Sequence, residues 1–104
     1  MSETYVTNIT HYLDENGEID YMPAPAKKLA SFLVLIIDNT TSTGSINYDD
    51  TGIRCRKRGC HGSILSRLAE GAEEILWQCP ICGHNGIIRN WQDTKWDRRV
   101  HDEC

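Results

Sequence analysis

The residues of this chain whose type and spacing can do chemistry are four cysteines in two close pairs. Cys55-Arg-Lys-Arg-Gly-Cys60 holds the first pair and Cys79-Pro-Ile-Cys82-Gly83 the second, with eighteen residues between them. Zinc takes four soft ligands in a tetrahedron, each at about 2.3 Å, and thiolates from two tight turns supply that geometry. Two such pairs joined by a hairpin-length spacer match the four-cysteine pattern of a zinc ribbon. In the second turn, Gly83 keeps a side chain away from the sulfur, and Pro80 stiffens the loop by fixing its φ. The first turn is wider, and Gly59 and Gly62 around Cys60 and His61 give it the flexibility it needs.

Other chemistries use the same residue types. A redox Cys-x-x-Cys sits at a strand–helix junction of a βαβ unit; here Cys82 is followed by Gly-His-Asn-Gly and then by a strand-like run. Iron is also held by thiolate tetrads and stays open as the ion. A catalytic zinc needs an open coordination position and a nearby base, and four cysteines leave no position open. His61 or His84 can stand in for a neighbouring cysteine. The complete spacing favours Cys55, Cys60, Cys79 and Cys82 as the ligands of one zinc ion per chain. Cys104, the last residue, reads as a free thiol.

Arg54, Arg56, Lys57 and Arg58 surround the first ligand, and Trp77, Trp91 and Trp96 lie in or just beyond the ribbon. Cations beside aromatic rings hold single-stranded nucleic acid by phosphate contacts and base stacking. The same cations also offset the charge of about −2 on a zinc bound by four thiolates. Trp77 alternates with Ile75 and fits a core position equally well.

The elements that must position these groups follow from pattern. Residues 5–13 are rich in β-branched and aromatic types and read as a strand. Asp14-Glu-Asn-Gly17 is a turn, and residues 18–22 return as a short strand or stay extended. Pro23-Ala-Pro-Ala opens a helix, since proline is tolerated in a first helical turn. Ala26, Leu29, Ala30, Leu33, Ile36 and Ile37 recur at helical spacing; Phe32, Val34 and Leu35 widen the apolar surface. The helix is expected to end near Asn39, and residues 40–52 to form a polar loop or linker. Ser63–Leu68, Glu73–Gln78 and Gly86–Arg89 read as three short strands, with a turn at Glu70-Gly71. Leu29, Leu33, Ile36 and Ile37 are expected to pack on Ile64, Leu76, Ile87 and Ile88.

A length of 104 residues argues for one domain or a small domain with an extension. Apolar residues make up 39%, so a zinc-held half is marginal without its metal. The N-terminal residues lack a basic region followed by an apolar run, and the longest apolar stretch, Phe32–Ile37, is far too short to cross a bilayer. The expected location is the cytoplasm, where cysteines read as metal ligands before disulfides. Residues 1–51 carry two basic residues against eight acids, and residues 52–104 carry nine against seven. The overall charge of −4 thus hides a mildly basic second half.

Thr10-His-Tyr-Leu-Asp14, Met22-Pro-Ala-Pro-Ala-Lys-Lys-Leu-Ala-Ser-Phe-Leu33, the cysteine pairs, Gly86-Ile-Ile-Arg-Asn-Trp91 and Thr94-Lys-Trp-Asp97 together resemble a family of small uncharacterised bacterial zinc-ribbon proteins. The resemblance runs from about Ile9 to Asp97. It implies the metal ligands and a bacterial source, and it carries no activity.

The expected fold is therefore α+β: a β segment and one amphipathic helix in region 1–51, packed on a three-stranded antiparallel zinc ribbon in region 52–104, as one compact unit. The expected function is a non-catalytic zinc module that contacts nucleic acid in a regulatory role. The alternative is a protein–protein docking module with a purely structural zinc. No Ser/His/Asp set and no phosphate-cradling glycine loop supports an enzyme, no small-molecule substrate is expected, and no membrane partner is expected.

Overall fold

The computed structural model describes residues 4–44, 46–69, 71, 73–92 and 94–98. It is an α+β arrangement of five strands and one long helix. The strands are β1 (Thr4–Asn8), β2 (Asp49–Arg54), β3 (Ser63–Leu68), β4 (Glu74–Gln78) and β5 (Asn85–Arg89), and the helix α1 is Ala24–Thr43. They form one sheet in the order β1-β5-β4-β3-β2. Strands β2 to β5 pair antiparallel in succession, and β1 joins the edge parallel to β5.

In place of a three-stranded antiparallel ribbon there is one mixed five-stranded sheet, in which the three expected strands, β3–β5, are flanked by β2 and by the parallel β1. The sheet joins both halves of the chain, and the boundary between residues 51 and 52 lies inside β2. Asp49, Asp50 and Gly52 are poor strand formers, so a strand here is opposed by local preference. Side-chain bonds hold it instead. The Asp50 carboxylate accepts from the Gly52 N–H at 2.8 Å and from the Ser63 hydroxyl. Thr51 Oγ1 donates to the Ile64 carbonyl at 2.7 Å. These bonds bridge a break in register between Asp50 and Arg54, the kind of irregularity that edge strands use.

The N-terminal strand is shorter than residues 5–13. It ends at Asn8, whose side chain caps a 3-10 turn over Ile9–Tyr12. Asp14 organises the following turn through the N–H groups of Asn16 and Glu18, and only a single bridge, Leu13 to Ile19, forms beyond it. The β3–β4 hairpin is closed by Ala69 N–H donating to the Glu74 carbonyl at 2.9 Å; of the expected turn, Glu70 lies outside the described residues.

The helix runs a full turn past Asn39. Thr40, Thr41 and Ser42 donate their hydroxyls back to the carbonyls of Ile36, Ile37 and Asp38, which satisfies them inside a helix. Gly44, at φ 65°, then ends it with its N–H on the Thr40 carbonyl.

The core lies between this helix and one face of the sheet. Leu33, Ile36, Ile37, Ile64, Ile75 and Ile88 are fully buried there. Strand alternation decides the rest. Ile75, Trp77, Gly86 and Ile88 face the helix, so Leu76 and Ile87 point to the opposite face and remain partly exposed. The expected pairing of the helix with Leu76 and Ile87 is corrected accordingly. A second flank of α1 is covered by Ile9 and by the segment after β5. Trp91 is fully buried, and Thr41 accepts from the Arg98 N–H at 2.8 Å. Among the described residues, no helix is long and apolar enough to cross a membrane.

Candidate metal centre

The two cysteine pairs sit at the same end of the sheet because each closes one hairpin. Cys55 N–H donates to the Gly62 carbonyl at 2.9 Å, zipping the turn between β2 and β3. Cys79 N–H donates to the His84 carbonyl at 2.7 Å, zipping the turn between β4 and β5. With β3 paired to β4, the two turns face each other and their sulfurs converge. The ligand atoms of Cys55, Cys60, Cys79 and Cys82 all lie within 4.8 Å of one another.

The sulfur spacing tests whether a metal fits. Bonds of about 2.3 Å to a tetrahedral ion imply sulfur–sulfur edges of about 3.8 Å. Cys55 and Cys82 stand 3.7 Å apart, and Cys60 and Cys79 stand 3.5 Å apart. A disulfide needs about 2.0 Å, and all four cysteines are free. The set has the size and chemistry to hold one metal ion. Cys55 and Cys79 are buried, and Cys60 and Cys82 are partly exposed.

Backbone N–H groups point at these sulfurs. Lys57 N–H lies 3.5 Å from Cys55 Sγ, and Gly62 N–H lies 3.4 Å from Cys60 Sγ. Burial raises the Cys79 thiol, but N–H groups of Cys82 and Ile81 outweigh it and bring it down to about 7. Burial drives the Cys55 thiol up to about 12, against the pull of the Lys57 N–H. Two glycines matter for separate reasons. Gly83 adopts φ 81°, which lets its N–H reach the Cys79 carbonyl at 2.9 Å. Gly62 is required by space, since a Cβ there would come within 2.5 Å of Cys79 Sγ.

Neither histidine belongs to the sulfur cluster. His61 is exposed. The His84 ring packs edge-on against Tyr5 and Trp77, with ring centres 5.1 and 5.5 Å away. Cys104 lies outside the described residues. In comparisons with known proteins, no family model, no curated protein and no solved structure matches the chain.

The four basic residues of the first turn do not form one patch. Arg54 is exposed at the end of β2, opposite Ser63 in the register. Lys57 and Arg58 line a shallow hollow beside Cys60, Cys82 and the exposed Ile81. Arg56 turns the other way, to stand 5.7 Å over the Phe32 ring. There it meets two cations from the acidic half of the chain. Lys27, Lys28, Phe32, Leu35 and Arg56 line an open groove of about 500 Å³. Counting charge by halves hides this meeting. The signal was present in helical spacing, because Lys28, Phe32 and Leu35 fall at i, i+4 and i+7 on one stripe. The tryptophans are mostly structural: Trp77 and Trp91 are buried, and Trp96 is partly exposed.

Proposed function

We propose that the chain is a non-catalytic module folded around one structural zinc ion held by Cys55, Cys60, Cys79 and Cys82, and that it contacts single-stranded nucleic acid. Tetrahedral all-sulfur sites take zinc or iron, and four sulfur ligands leave no coordination position for water or substrate. The metal then holds two hairpins together, a structural task. A regulatory role in a bacterial cytoplasm belongs to this proposal. It is supported by the resemblance described above and by thiols that stand free rather than as disulfides.

The observation that carries the nucleic-acid reading is the convergence of Lys27, Lys28 and Arg56 on one groove floored by Phe32 and Leu35. Cations alongside an aromatic ring are the elements of a single-strand site. Three phosphate contacts imply that the logarithm of affinity falls with the logarithm of salt at a slope of about −2 on single strands. Titrating a short oligonucleotide at several salt concentrations tests this. Lys27→Glu with Lys28→Glu should abolish binding and Lys57→Glu should not. Binding indifferent to the first pair of changes refutes the groove.

A specific observation also supports the docking reading. Val6, Ile87 and Leu76 lie in one row across the outer face of the sheet, with Leu65 diagonal to Leu76. Val6 is 55% exposed. If no oligonucleotide binds, this apolar face is the surface on which the docking-module reading rests.

A further inference from the structure

Beside the groove the fold encloses a second, deeper space. We propose that this cavity, walled by Tyr5, Phe32, Trp77 and His84 with Arg56 at its mouth, takes one base of a single-stranded nucleic acid. The inference rests on the nucleic-acid reading above and adds to it the place where a base is held.

The rings come from β1, α1, β4 and the turn before β5, so the site exists only in the folded chain. Their contacts are all edge-on: Phe32 to Trp77 at 5.4 Å and 85°, Trp77 to His84 at 74°, Tyr5 to His84 at 69°. No two of these rings are stacked face to face, which is the mode in which a base packs on an aromatic side chain. The enclosed volume is about 190 Å³. An apolar cavity of about 150 Å³ accepts benzene, so this one has room for a single planar ring system. Gly86 helps to make the space. It pairs with both Tyr5 and Trp77, and a Cβ on it would stand 2.6 Å from the indole. The indole therefore lies against bare backbone. Trp77 is 4% exposed, with the edge that carries Nε1 resting on Gly86.

Charge selects the occupant. An aromatic box alone also suits a quaternary ammonium, but Arg56 at the mouth repels a cation. Phe32 and Arg56 are shared between the cavity and the groove. A base in the cavity thus places its phosphate near Arg56 and leaves Lys27 and Lys28 for the phosphates that follow. A nucleoside monophosphate leaves those lysines unused, so the proposed occupant is a strand.

The test compares the full chain's affinity at low salt for a short single strand, the same strand made abasic, and a mononucleotide. The abasic strand should bind about tenfold more weakly, the loss expected from one stacked base. Tyr5→Ala, at a half-exposed residue, should cost the intact strand a similar factor. Leu29 also lines the cavity, and Leu29→Phe fills it without removing a cation. It should bring the intact strand to the abasic level and leave the abasic affinity unchanged. Metal content and circular dichroism of each variant establish that it is folded. Equal binding of intact and abasic strands, both weakened by Lys27→Glu, refutes the cavity and leaves the groove reading standing. Absence of binding by either strand refutes both. A mononucleotide that binds as tightly as the strand refutes the strand as occupant.

Discussion

Between Gly62 and Cys79 there is no room for a methyl group. A Cβ on Gly62 would stand 2.5 Å from Cys79 Sγ and 2.8 Å from Cγ1 of Ile81. Gly62 belongs to the β2–β3 hairpin and Cys79 to the β4–β5 hairpin, so this contact is where the two cysteine turns press together. In sequence Gly62 reads as a source of flexibility beside Cys60; in the fold, contact with Cys79 and Ile81 is what excludes a side chain there.

Gly62→Ala should therefore push the turns apart. Overpacking of this kind costs about 1–3 kcal/mol. The variant should unfold at a lower temperature and release its metal to a chelator faster than the parent. Thermal unfolding and a chelator-competition assay read both effects. An unchanged rate of metal release would show that the turns do not meet as described.

The thiols make metal uptake sensitive to pH. Cys55 is raised to about 12 and Cys60 is raised above its ordinary value of 9.0, so in the metal-free chain both keep their protons at neutrality. A metal binds the thiolates, and its uptake should release at least those two protons. Affinity should fall as the solution is acidified. In the metal-free chain the signs differ by residue. The raised Cys55 contributes stability below its ordinary value of 9.0 that is lost as pH rises toward about 12. The lowered Cys79 contributes stability above 9.0 that is lost as pH falls through about 7. Calorimetry in buffers of different ionisation enthalpy counts the protons, and a count near zero would contradict this assignment.

The two faces of the sheet should respond differently to truncation. Leu33 is 1% exposed between helix and sheet, and Leu33→Ala should cost about 2–5 kcal/mol. Leu76 lies on the outer face, and Leu76→Ala should cost about 1 kcal/mol or less. Denaturant unfolding of both variants tests the orientation of β4. A larger loss at Leu76 than at Leu33 would reverse it.

Much of the metal centre was legible because ligand spacing is a local property. Two cysteine turns and a hairpin spacer require no knowledge of the rest of the chain. The helix register was equally local, resting on Leu29, Leu33, Ile36 and Ile37. What escaped was decided at a distance. Residues 49–54 look like a loop, since Asp49, Asp50 and Gly52 resist strand formation, and only pairing with β3 and the bonds of Asp50 and Thr51 make them β2. The helix end is hidden because Thr40 and Thr41 favour caps until their hydroxyls find carbonyls one turn back. Thr40 also meets the Ser66 hydroxyl at 2.6 Å across the core. Alternation in β4 and β5 defines two faces, but Leu76 and Ile87 make the outer face apolar too, so pattern alone does not choose the inner one. The helical stripe of Lys28, Phe32 and Leu35 is local, but Arg56 is far away in sequence and joins that groove only once the first turn folds over Phe32.

The central claim is a single zinc ion on Cys55, Cys60, Cys79 and Cys82. Native mass spectrometry with elemental analysis of the folded chain tests it most directly. The expected result is one zinc per chain in the parent and in Cys104→Ser. In Cys79→Ser and Cys82→Ser the metal should be lost and the sheet unfolded, because metal binding and folding are coupled by about 10–16 kcal/mol in zinc-finger peptides. A well-folded parent chain that binds no metal, or a Cys104→Ser variant that loses it, would contradict the account.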